Sequence, residues 1–236
     1  MTLRIWERWD EAITVTDHAA MAQDPDEPFD VLLADGSPTG NVKSRAAVHR
    51  DGDWHRALHL WVAGRDDEGK PFLMFQRRSA EKDSWPDRFD TTVGGHFRAG
   101  ETLREALRET EEEIGLSVSL DALRSLGTRI SITETPPLCD HELQDVYLLI
   151  DDRPLGDYRP HPIELSALVR FPIAELLLLF TGETSEIAGE AVSPGSTIPF
   201  AITATAGEFI PSVDRYGLRI AIAAQNVLRG DRYVAL

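Results

Sequence analysis

The chain has 236 residues with 40 acidic against 24 basic side chains, a net charge of −16, and such a surface repels phosphate backbones, which excludes sequence-wide nucleic-acid binding. Its length is ample for burying a core, and the single cysteine, Cys139, excludes an internal disulfide or a cysteine-rich zinc site and suits a reducing, cytoplasmic setting. The opening MTLRIWERWDEAITVTD carries acidic residues where a signal peptide needs a continuous apolar run, and IAELLLLF is too short to span a bilayer, so no membrane association is expected.

Residues 1–27 are polar, weakly helical, and end in the loop-like AQDPDEP, which reads as an N-terminal arm. Short apolar strands follow at 29–34, within HRALHLWVAG, and in PFLMFQRR after the turn RDDEGK. Next comes GGHFRAGETLREALRETEEEIGL, a glycine loop leading into a helix that Gly115 should stop. Strands are expected within LRSLGTRISITE, LQDVYLLI and LSALVRF, then a helix over PIAELLLLF with Pro172 in its first turn. From 184 to 210 the Gly-, Ser- and Thr-rich segment reads as loop with one strand. The segment VDRYGLRIAIAAQNVLRG has the apolar spacing of an amphipathic helix ending at Gly230. Strands and helices in this mixed order predict an α+β sheet sandwiched by helices, divided as an arm (1–27), a main domain (28–183) and a C-terminal extension (184–236).

Glu109, Glu112 and Glu113 stand at i, i+3 and i+4, on one helical face, with Glu105 one turn earlier. Like charges at that spacing repel, so the cluster needs a partner; hard oxygen ligands suit Mg²⁺, with Mn²⁺ as the other candidate. Gly94 and Gly95 leave room for the backbone to approach the same ion, Gly95 through its carbonyl. Alone, four glutamates read as a solvated acidic face. With the flanking residues they form a more specific pattern: Gly95 and Glu101, then Arg108, Glu109, Glu112, Glu113, Gly115 and Leu116.

This pattern resembles the signature of the Nudix hydrolases. Two departures stand out: six residues separate Glu101 from Arg108 where the family has seven, and Thr110 occupies a usually aliphatic position. Losing one residue turns everything before it by about 100° on a helix, which leaves the direction of Glu101 open. The resemblance implies an α/β/α sandwich that uses Mg²⁺ to cleave a phosphoanhydride in a nucleoside diphosphate linked to another moiety, or in a related small diphosphate. Glu109, Glu112 and Glu113 would hold metal, Glu112 serving catalysis as well. Arg108 would orient a carboxylate through bidentate hydrogen bonds.

Outside the box, FQRRSAEKDSWPDRFDTTVGGH, AVHRDGDWHRALHLWV and ELQDVY resemble type I isopentenyl diphosphate isomerases and their hydrolase-like kin. By motif position that resemblance implies a metal site of His49, His55, His96 and Glu142, with His49 one residue out of the pattern's spacing. It also implies Arg78 and Lys82 on the diphosphate, with Arg77 in the same basic cluster. Glu142 could ligate metal or act as general base, with Asp145 as its rival, while His59 has no counterpart and reads as a core histidine. The isomerase cysteine is replaced by Gly94, so hydrolysis is favoured over isomerisation. A catalytically silent nucleotide-binding module is the third reading. Trp54, Trp61 and Trp85 could stack on a base, Trp61 being the better core candidate. The arm and the extension are expected to shape the pocket or a homodimer interface.

Overall fold

The computed structural model describes residues 24–82, 84–135 and 138–236; most of the N-terminal arm therefore lies outside the described residues. The order is β1 (Pro28–Leu32), β2 (Pro38–Ser44), α1 (Arg45–Asp51), β3 (Trp54–Arg65), β4 (Pro71–Arg78), β5 (Phe89–Asp90) and β6 (Val93–His96). Then come α2 (Leu103–Ala106), α3 (Arg108–Ile114), β7 (Leu123–Thr135), β8 (Leu138–Ile150) and β9 (Leu165–Pro172). Last are α4 (Ile173–Thr181), β10 (Glu186–Val192), β11 (Phe200–Thr205) and α5 (Tyr216–Arg229).

Alternation along the central strands creates two cores. Leu58, Leu60 and Val62 of β3 and Phe72 and Met74 of β4 enter one layer, whereas Trp61, Ala63, Leu73 and Phe75 enter the other. A strand's two-residue period requires this. The first layer is covered by the box helices through Ala106, Leu107 and Ile114. The second is covered by Leu176 and Leu179 of α4 and by Ile220, Ala221 and Ala224 of α5. The expected sandwich is therefore observed. The sheet runs β11-β10-β9-β4-β3-β1-β2, with β8 also on β3 and β7 on β8. β3 and β8 are parallel among otherwise antiparallel pairings, so the sheet is mixed.

Three regions depart from the sequence reading. The polar PTGNVKS forms edge strand β2, carried by its hairpin with β1 rather than by any apolar alternation. α1 forms because Ser44 caps its N-terminus, accepting from Ala47 N, and Gly52 ends it at φ 69. Two strands, β10 and β11, occupy the region read as loop with one strand; they extend the sheet beyond β9, and α5 packs into the common core. Cys139 lies in strand β8. No helix among the described residues is long and apolar enough to cross a membrane.

Candidate metal and diphosphate site

Register brings three strands' chemistry to one place. β8 and β6 both pair with β3, setting His55 beside Glu142 and Ala57 beside His96. α1 adds His49 from its last turn. The donor atoms of His49, His55 and His96 lie within 4.8 Å of one another, as do those of His55, Asp140 and Glu142. His49 Nε2 is 3.4 Å from His55 Nε2, and His96 Nε2 is 3.1 Å from Glu142 Oε1. Phe29, fully buried, backs the group, its ring stacked 5.4 Å from His55 and 4.9 Å from His96.

Burial and mutual repulsion keep His49 and His55 available as ligands. The Asp53 carbonyl is 3.1 Å from His55 Nδ1; it accepts that N–H and leaves Nε2 with its lone pair toward the cluster. Burial, then the neighbouring His96, lowers His55 to about 4. Burial and the other two histidines lower His49 to about 3. Burial alone would raise the Glu142 carboxyl, but His96, His59 and His55 override it and hold it well below the carboxylate range. Gln144 Nε2 also donates to Glu142 Oε2 at 2.5 Å. Neutral imidazoles beside ionised carboxylates are the donor set of a divalent transition-metal site, so the residues fit a cation.

Beside this cluster stands the box. Missing one residue, the helix breaks at Leu107 into α2 and α3. Glu101 nevertheless reaches Arg108, 3.4 Å from Nε, while Arg108 Nη1 donates to Glu109 Oε1 at 2.6 Å and Nη2 lies 3.8 Å from Glu27. Arg108 thus orients Glu109 through one hydrogen bond rather than the bidentate pair expected. Glu105 is turned away, closing a capping box with Thr102. A Cβ at Gly95 would fall 2.6 Å from Glu109 Cδ and displace that carboxylate. Burial pushes Glu109 up to about 7, opposed by Arg108 and reinforced by Glu112. Burial together with Glu109 and Glu164 raises Glu113 well above its ordinary value. Glu113 Oε2 is buried with no hydrogen-bond partner among the described residues, and a cation would relieve all three effects.

Both groups line one cavity of about 970 Å³. Glu112, exposed on α3, faces it with Glu109 and Glu113. Arg78 and Lys82 line it too; Arg78 is held by Ser84 and Asp90, and Lys82 by Glu164. Arg77 points to the other face of β4, its guanidinium 5.5 Å over the Phe89 ring, and is not among the cavity-lining residues. The far wall comes from the extension, through Phe209, Ile210, Arg215 and Tyr216. His59 is held in that wall, its Nδ1 3.1 Å from the Tyr216 hydroxyl, which also accepts from Trp61 Nε1 at 2.9 Å. Trp85 is among the lining residues, whereas Trp54 is not and packs tilted against His141, 5.1 Å between ring centroids.

Asp145, the rival to Glu142, faces the opposite side of β8 and pairs with Arg56 at 2.6 Å. Asp140 and Glu164 were not singled out in the sequence. Asp140 carried a signal, since it precedes Glu142 by two residues and so shares its face; its Oδ1 is 3.5 Å from His55 Nε2. Glu164 carried none, being placed by a loop.

Residues 54–188 match the family model of the NUDIX domain. Nudix hydrolase 3 of Arabidopsis thaliana is 38% identical over 155 residues, 64% of this chain and 20% of that protein. An isopentenyl-diphosphate Delta-isomerase of Leifsonia xyli is 31% identical over 126 residues, 52% of this chain and 66% of that one. A solved structure from Deinococcus radiodurans aligns with a TM-score of 0.48 at 26% identity, covering 66% of this chain and 90% of its own. The chain thus spans only a fifth of the Arabidopsis protein's length. With more than half its length matched by the domain, this chain belongs to the Nudix hydrolase family.

Proposed function

We propose that the chain is a divalent-cation-dependent pyrophosphohydrolase that cleaves the phosphoanhydride of a small diphosphate compound by water attack at phosphorus. The observation that carries this reading is the cavity itself. The box carboxylates Glu109, Glu112 and Glu113 and the cations Arg78 and Lys82 share its wall with the His49, His96 and Glu142 cluster. Bound Mg²⁺ or Mn²⁺ would be held by the box carboxylates, and by His49, His55, His96, Asp140 and Glu142. It would supply Lewis acidity toward the phosphate oxygens. Arg78 and Lys82 bind and orient the diphosphate. Arg108, behind Glu109, fixes the direction of that carboxylate. Glu109, directed by Arg108, joins Glu113 in holding the cation, Glu112, exposed to the cavity, is placed to take the attacking water's proton, and Glu142, held ionised, is suited to be a ligand.

The isomerase reading draws support from the same histidine cluster. Against it stands Gly94, where the resemblance requires a cysteine; a Cβ there would meet Thr91 Cγ2 at 2.9 Å.

The test is ³¹P NMR in ¹⁸O-water with Mg²⁺ and a panel of nucleoside diphosphates, ADP-ribose, coenzyme A, diadenosine polyphosphates and isopentenyl diphosphate. A new resonance with an ¹⁸O shift is expected. Unchanged phosphorus signals with a changed proton spectrum of the isopentenyl sample would establish the isomerase instead. Glu112→Gln, exposed and nearly isosteric, should lower turnover by about 100-fold or more without altering thermal unfolding; full turnover in that variant would overturn the role given to Glu112.

A further inference from the structure

Glu164 ends the loop that precedes β9. The residue is 8% exposed, and Oε1 is buried without a hydrogen-bond partner among the described residues. Glu113, 5% exposed, presents an unpartnered Oε2 to the same cavity. Two buried carboxyl oxygens lining one cavity, each stripped of water without gaining a partner, carry a cost that a bound cation would relieve.

The loop is tied in place at both ends. His161 N donates to Glu113 O at 2.8 Å and Arg159 N to Ile114 O at 2.9 Å, fastening it to the end of the box helix. Ser79 N donates to Glu164 O at 3.0 Å, fastening it to the end of β4. The other Glu164 oxygen, Oε2, is bonded to the Lys82 ammonium. One oxygen is therefore neutralised by a cation of the chain while its twin waits in the cavity. A surface salt bridge has no need of such a seat.

We propose that Glu164 is a further carboxylate ligand of the box's cation site, seated with Glu113, and that Lys82 is its counter-ion when no cation is bound. The inference rests on reading the box as a cation site. A cation on Glu164 loosens its hold on Lys82 and frees that ammonium for the substrate's diphosphate, so cation and diphosphate each favour the other's binding.

The test is Mn²⁺ titration of the whole chain, without substrate, followed by the electron paramagnetic resonance of free Mn²⁺. Glu164→Gln should weaken one site by about tenfold or more. The double variant Glu164→Gln with Lys82→Met removes the ion pair as a unit and leaves the local net charge unchanged. It should weaken that site comparably, and it guards against a fold disturbed by an unpaired lysine. Lys82→Met alone, which leaves Glu164 free, should not weaken binding. The inference is overturned if the double variant binds as wild type does, or if Lys82→Met weakens binding as much as Glu164→Gln, the mark of a purely structural ion pair. A wild-type chain that takes up no Mn²⁺ at all overturns the reading of the box together with this inference.

Discussion

Thr110 shows how a single residue reconciles the shortened box with a working geometry. It is fully buried, and its hydroxyl lies 2.7 Å from the Leu107 carbonyl, where the helix breaks, and 2.6 Å from that of Leu116 beyond the helix end. The unusual polar residue and the missing spacer residue are thus parts of one local solution. Thr110→Val, although closer to the family pattern, should cost about 1–3 kcal/mol in denaturant unfolding. A cost under half a kcal/mol would show that the hydroxyl bonds are not needed. Glu109 gives a second residue-scale expectation. Its carboxyl, pushed up to about 7 from an ordinary 4.5, binds a proton in the folded chain that the unfolded chain has lost. Its contribution to metal-free stability is therefore present below 4.5 and lost as pH rises through 7. His49 and His55, lowered to about 3 and about 4 from 6.5, contribute with the opposite sign as the imidazoles of the unfolded chain titrate around 6.5. The Glu109 contribution is therefore read against Glu109→Gln: in chelator, the melting temperature of the wild type relative to that variant should fall from about pH 5 to about pH 7.5, with added Mg²⁺ restoring the wild type at the upper end. A difference that does not change with pH would contradict the burial of that charge.

At the scale of elements, legibility followed the strength of periodic signals. β3, β4, β8 and β9 were readable because their apolar runs are long and bounded by turns, and the box could be read from its spacing. With those strands in register, His55, His96 and Glu142 came together as the motif positions implied. β10 and β11 were not separable because EIAGEAV and FAITAT are small, half-exposed strands made by pairing with β9 and with each other. Through β10 the extension pairs directly with β9 of the main sheet. The helix α5 follows suit: Ile220 is fully buried in the core that also holds Trp61 and Phe171. Ile220→Ala should cost about 2–5 kcal/mol in a single cooperative unfolding transition. A separate early transition would mean that the extension is an independent unit. Glu164 illustrates what spacing cannot reveal, since its position depends on a loop stitched to two distant elements by backbone hydrogen bonds.

Across the whole molecule, the net charge of −16 and the concentration of carboxylates around one cavity set a common requirement. An anionic substrate meets a repulsive field unless cations of the chain and of the solvent gather where it binds. Arg78 and Lys82 provide the first kind. The box carboxylates and the histidine cluster would seat the second, one site all-carboxylate and one mixed with imidazole. The most direct test is a crystal of the protein soaked in Mn²⁺ and measured for anomalous scattering. The account expects one peak among Glu109, Glu112 and Glu113 and another among His49, His55, His96 and Glu142. A cavity with no peak at the box would contradict it.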